Sequence, residues 1–86
     1  MNLGLKNKVA IVGGSSKGLG KACALALARE GVKLAICARS EDILQKTAKE
    51  IRQDYGTHVL ALTCDLTKYD DIKHLVSETI STFGRI

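Results

Sequence analysis

Three apolar runs divide the chain: Lys8 to Val12 (KVAIV), Val32 to Ala38 (VKLAICA) and His58 to Cys64 (HVLALTC). Their apolarity is continuous rather than alternating, which marks strands covered on both faces, as in a parallel sheet. Between the runs the period lengthens to that of a helix. From Gly18 to Glu30, Leu19, Ala22, Cys23 and Ala26 recur at i, i+3, i+4 and i+7, and Gly31 supplies a stop. From Ser40 to Tyr55 the stripe is Leu44, Thr47, Ala48, Ile51 and Tyr55. Ser40 is its expected N-cap, Glu41 and Asp42 suit the positive helix start, and Gly56 ends it. A third helix is expected from Thr67, with Asp70 completing a capping box and Ile72, Leu75, Val76, Ile80 and Phe83 facing inward as far as Gly84.

The order is β-α-β-α-β-α. Right-handed crossovers place three parallel strands side by side in the order 3-2-1, with helices on both faces. This is an α/β arrangement: a Rossmann-type half, or an incomplete doubly wound sheet. At 86 residues the chain is one small domain at most. The composition is 45% hydrophobic but only 3% aromatic, so aliphatic side chains and alanine must build the core.

The net charge of +4 is scattered rather than blocked. With few aromatics for base stacking, this makes a poor nucleic-acid platform. Cys23, Cys37 and Cys64 lack the short spacing of a metal or redox motif, and each sits in an apolar stretch, as small buried hydrophobes do. No metal site, secretory leader or membrane span is expected, and free thiols suit a cytoplasmic location.

The first strand runs into GGSSKGLG, residues 13–20, and a helix follows. A strand, a glycine-rich turn and a helix N-terminus form the context of a phosphate cradle. Gly14 can turn the chain with positive φ, Gly18 lets backbone approach an anion, and Gly20 lets the helix pack tightly on the strand. A Walker A loop is excluded, because Ala22 follows Gly20-Lys21 and Ser15 stands where its first glycine belongs. The spacing G-x-G-x-x-G is also missing, since Gly18-x-Gly20 leads to Cys23. What remains is G-x-x-x-G-x-G, from Gly14 through Gly18 to Gly20.

That spacing, with ICARS and TCDLT downstream, resembles the short-chain dehydrogenase/reductase family from Lys6 to Ile86. The family pattern begins T-G, and Gly13 here replaces the threonine. The resemblance implies an oxidoreductase that interconverts carbonyls and alcohols by hydride transfer. It places Gly14, Ser16, Lys17, Gly18, Leu19 and Gly20 around the cofactor's pyrophosphate end. An NAD-type site has a carboxylate after the second strand. Here Arg39 and Ser40 stand in that region, and Arg39 with Lys17 suits a 2′-phosphate, so NADP(H) is expected rather than NAD(H). Asp65 would accept from the adenine amino group, with Leu66 contributing backbone.

The family's catalytic Tyr-x-x-x-Lys string occurs as Tyr69 to Lys73. It falls at the start of the third helix, by the adenine end, and Asp70 and Asp71 would oppose tyrosinate formation. We read Tyr69 and Lys73 as exposed neighbours one turn apart, and His58 and His74 as structural or surface residues. No catalytic residue is therefore assigned within the chain; the catalytic Ser, Tyr and Lys are expected beyond Ile86.

Residues 1–86 then form the N-terminal part of one NADP-binding domain, of a protein with a small carbonyl or alcohol substrate, no nucleic-acid or membrane partner, and a homo-oligomeric state. The alternative is a complete, non-catalytic dinucleotide-binding or interaction module. In the doubly wound order a fourth strand pairs with the first; without it the first strand is an apolar sheet edge that invites self-association.

Overall fold

The computed structural model describes residues 7–14 and 18–84. Its elements are β1 (Val9–Gly13), α1 (Gly18–Arg29), β2 (Lys33–Ala38), α2 (Glu41–Tyr55), β3 (Val59–Thr63) and α3 (Tyr69–Phe83). The strands are parallel in the order β1-β2-β3, the expected 3-2-1 sheet. The register pairs Val9 with Lys33 and Gly13 with Cys37 on one side of β2, and Leu34 with Val59 and Ala38 with Thr63 on the other.

β2 is central, and its side chains alternate between two cores. Leu34, Ile36 and Ala38 pack with Ala24 and Ala28 of α1 and with Leu44, Ala48 and Ile51 of α2. Ala35 and Cys37 face the other way, into a smaller cluster with Cys64 and Leu75 of α3. Helices thus cover both faces, α1 and α2 on one and α3 on the other. The α2 stripe lies as its periodicity predicts, with Leu44, Thr47, Ala48 and Ile51 buried, though Tyr55 is exposed. Ser40 is its N-cap without a side-chain cap bond, and Gly56 ends it in the left-handed conformation. A salt bridge of 3.0 Å from Lys21 to Glu50 ties α1 to α2 at the surface.

Four sequence expectations need correcting. In α1 the predicted inner stripe faces out: Leu19, Ala22, Cys23 and Ala26 are exposed, whereas Ala24 and Ala28 are buried. The helix is apolar on every side, so periodicity does not choose a face. The small residues Gly20, Ala24 and Ala28 do, because they let the axis approach the sheet closely. The expectation that all three cysteines are buried fails with it, since only Cys37 and Cys64 are.

In α3, Leu75 and Thr79 are the buried positions, while Ile72 and Ile80 are exposed. Thr79 tolerates burial because its hydroxyl donates to the Leu75 carbonyl at 2.6 Å. That helix also starts two residues later than expected. Its N-cap is Lys68, and no Thr67–Asp70 capping box forms. Thr67 donates instead to Asp65.

Candidate functional site

Parallel strands end together, so β1, β2 and β3 deliver their carboxyl-terminal loops to one side of the sheet. There the loops enclose a cleft of about 480 Å³. Gly14 forms one wall, and Arg39, Ser40 and Ile43, from the β2–α2 turn and the first turn of α2, form the second. Asp65, Leu66 and Thr67, after β3, form the third. Cys37 and Cys64 make the floor.

The glycines behave differently from one another. Gly14 and Gly18 have φ of 62° and 64°, a region that L side chains rarely adopt. Gly20 is required for space. A Cβ there would strike the Gly14 carbonyl oxygen and lie 2.8 Å from the Gly14 carbonyl carbon. The first turn of α1 therefore rests directly on the backbone of Gly13 and Gly14. A Cβ on Gly13 would come within 2.7 Å of Leu66 Cδ1, so the threonine of the family pattern would require Leu66 to rotate.

Of the residues singled out in the sequence, Gly14, Arg39, Ser40, Asp65 and Leu66 come together around the cleft. Gly18 and Gly20 stand at the start of α1, and Leu19 beside them is 81% exposed, pointing away from the core. Ser16 and Lys17 lie outside the described residues. Sequence reasoning missed Ile43, Thr67 and the two floor cysteines as cleft residues. Ile43 had a signal, being a large aliphatic residue in α2 that does not belong to the inner stripe. It is 47% exposed.

Electrostatics distinguish the walls from the floor. Asp65 Oδ1 accepts from the Thr67 hydroxyl at 2.6 Å and the Thr67 backbone N–H at 2.9 Å. These two donors, with smaller contributions from the Arg39 and Lys68 charges, hold the Asp65 carboxyl below its ordinary range. On the floor, burial pushes the Cys37 thiol up to about 11, and the neighbouring Cys64 adds to the shift. Burial raises Cys64 as well. Both floor thiols are thus neutral and poorly nucleophilic at physiological pH.

The Tyr69–Lys73 pair is outside this constellation. Tyr69 is 73% exposed, and the Lys73 ammonium lies 5.5 Å from its ring centroid, a cation–π contact one helical turn long. Among the described residues no cluster of three potential metal ligands occurs, and no helix is long and apolar enough to cross a membrane.

Comparison with known proteins adds relatives to this geometry. The family model described as short chain dehydrogenase matches residues 8–86. An uncharacterised oxidoreductase of Listeria monocytogenes is 43% identical over 82 residues, which covers 95% of this chain and 33% of that protein. The crystal structure of L-sorbose reductase from Gluconobacter frateurii, complexed with NADPH and L-sorbose, superposes with a TM-score of 0.95 at 33% identity. It covers 98% of this chain and 32% of that one. An alcohol dehydrogenase from the archaeon Thermococcus sibiricus, complexed with 5-hydroxy-NADP, gives a TM-score of 0.85 at 40% identity. That match covers 90% of this chain and 33% of that one. The chain spans about a third of the length of these relatives.

Proposed function

The chain belongs to the short-chain dehydrogenase family, and from that premise we propose that it forms the N-terminal, adenosine-and-pyrophosphate half of an NADP(H) site. The enzyme it serves interconverts a carbonyl compound and an alcohol. Its single Rossmann domain continues beyond Ile86, where the catalytic Ser, Tyr and Lys and most substrate contacts lie.

The cleft has the dimensions of a small-molecule site, for which about 300–1,000 Å³ is usual. Gly20 lets the amino end of α1 lie against the loop, so backbone N–H groups and the helix dipole favour a pyrophosphate there. In this reading Gly14, Gly18, Leu19 and Gly20 serve those phosphates, while Lys17 joins Arg39 at the 2′-phosphate. When bound, the dinucleotide supplies hydride transfer at its nicotinamide end, and the residues of this chain hold the opposite end. Ile43 offers an apolar surface to the purine, and Asp65 accepts from its amino group. Leu66 adds backbone contact beside Gly13.

One observation carries the choice of NADP(H). Arg39 is exposed at the mouth of the cleft directly after β2, where an NAD-type site has a carboxylate for the ribose 2′-hydroxyl. A guanidinium there binds a 2′-phosphate through its planar fork. The NADPH and 5-hydroxy-NADP in the two related crystal structures support the same reading.

The test is a titration of the chain with adenosine 2′,5′-bisphosphate and with adenosine 5′-diphosphate, followed by amide chemical shifts. We expect the 2′-phosphate to strengthen binding about tenfold, the scale of one charge-assisted contact. Arg39→Asp should remove that preference and turn it toward the 5′-diphosphate. Equal loss of both ligands would overturn the assignment.

A further inference from the structure

Asp65 follows β3 on a short loop, where an exposed carboxylate would ordinarily rotate freely. Here nearly every polar atom of the residue is already engaged. Its N–H donates to Asp71 Oδ2 at 2.9 Å, and its carbonyl accepts the Lys68 N–H at 3.0 Å. Oδ1 takes both Thr67 donors, at 2.6 and 2.9 Å. Among the described residues no donor meets Oδ2.

The partners are as informative as the bonds. Thr67 precedes a helix, where a threonine hydroxyl commonly caps a backbone N–H. The N-cap of α3 is Lys68, which makes no side-chain cap bond, and the Thr67 hydroxyl is committed to Asp65. Asp71, in the first turn of α3, reaches back past the N-cap to the Asp65 backbone. Two side chains placed to start a helix instead fix one residue, Asp65, on the wall of the cleft, Thr67 through its carboxylate and Asp71 through its backbone N–H.

We propose that Thr67 and Asp71 are positioning residues for purine recognition. They hold the Asp65 carboxylate with Oδ2 turned to the cleft, so that the site accepts a 6-aminopurine and rejects a 6-oxopurine. The proposal rests on the reading of Asp65 as the adenine acceptor. An amino group donates to Oδ2. A carbonyl oxygen in the same place sets two acceptors against each other, with the carboxylate unable to turn away. A free carboxylate would discriminate less, because it could rotate to avoid the carbonyl at small cost.

The experiment compares adenosine 2′,5′-bisphosphate with inosine 2′,5′-bisphosphate on the same chain, again by amide shifts. The unmodified chain should prefer the adenosine probe about tenfold, the scale of one hydrogen bond to a charged group. Thr67→Val and Asp71→Ala should each reduce that ratio at least about threefold, with affinity for the inosine probe nearly unchanged because its phosphates still hold it. Thr67→Ser should keep the ratio, and Asp65→Asn should abolish it.

A second signature is the Asp65 carboxyl titration, which should move toward its ordinary range in Thr67→Val. A ratio unchanged in Thr67→Val but lost in Asp65→Asn would overturn the positioning role and leave Asp65 as the adenine acceptor. No preference in the unmodified chain, or no binding, would overturn both. Thr67 is exposed, so its variants should fold, and dispersed amide spectra would verify this for all four proteins.

Discussion

Gly20 and Cys37 show how much a single position can constrain this molecule. A methyl group on Gly20 meets the backbone of Gly14 and lies 3.0 Å from the Gly13 carbonyl oxygen, and neither can step aside. Gly20→Ala should therefore destabilise the fold by about 1–3 kcal/mol, read as a lower urea midpoint with an unchanged slope. A Cβ on Gly13 presses on the end of the Leu66 side chain, which can change rotamer, so Gly13→Ala should cost about 1 kcal/mol or less.

Cys37 is fully buried, and burial raises its thiol from 9.0 to about 11. Between those values the unfolded chain releases a proton that the folded chain keeps, so stability falls as pH rises through this range. Below pH 9 both states are protonated and the effect vanishes. The loss should reach about 2–3 kcal/mol and belongs to the coupled Cys37–Cys64 pair. Urea midpoints from pH 8 to 11 should show it, and Cys37→Ala should flatten the slope; an equally steep fall in that variant would contradict the assignment.

At the scale of elements, α1 is the instructive case. Its two faces are both apolar, and the face that carries Leu19, Ala22, Cys23 and Ala26 is the one left outside. Substitution separates them. Ala24→Leu forces a larger side chain into a site with no exposed surface and should cost about 1–3 kcal/mol, whereas Leu19→Ala should cost under about 0.5 kcal/mol. Denaturant titration of both variants measures the difference, and the reverse order would restore the face that periodicity predicts.

The stripe of α2 was legible because its outer face is charged and only one apolar stripe exists. In α3 the reading was partly right: Leu75 is buried, but Thr79 took the place given to Ile80. A hydroxyl satisfied within its own helix is invisible to a hydrophobicity pattern. The strands were legible in kind and order, since continuous apolar runs between helices leave few parallel arrangements.

For the whole molecule, the open boundary matters most. β1 pairs only with β2, and no described strand lies on its other side. The outward face of α1 beside it is apolar. In sedimentation, the 86-residue chain should gain mass as concentration rises, through its exposed edge. A monomer at every concentration into the millimolar range would count against this. Mixed with NADPH and a panel of ketones, the same chain should oxidise no cofactor, since no catalytic trio is assigned to it. Turnover by the purified chain would favour a catalytic role for residues such as Tyr69 and Lys73.

The sequence alone settled the element order, the parallel sheet and the family pattern of the glycine loop, because these depend on local composition and on spacing along the chain. It also named Arg39 and Asp65, which lie at strand ends that a parallel sheet must bring together. The tertiary structure decided which face of α1 is buried, where α3 begins and what Thr67 does with its hydroxyl. Those outcomes depend on close approach between segments distant in sequence: Gly20 against Gly14, α3 against β2, and Asp71 back against Asp65. Periodicity reports how apolar a face is. It does not report how near another backbone can come to it, or which donor a loop carboxylate will find first.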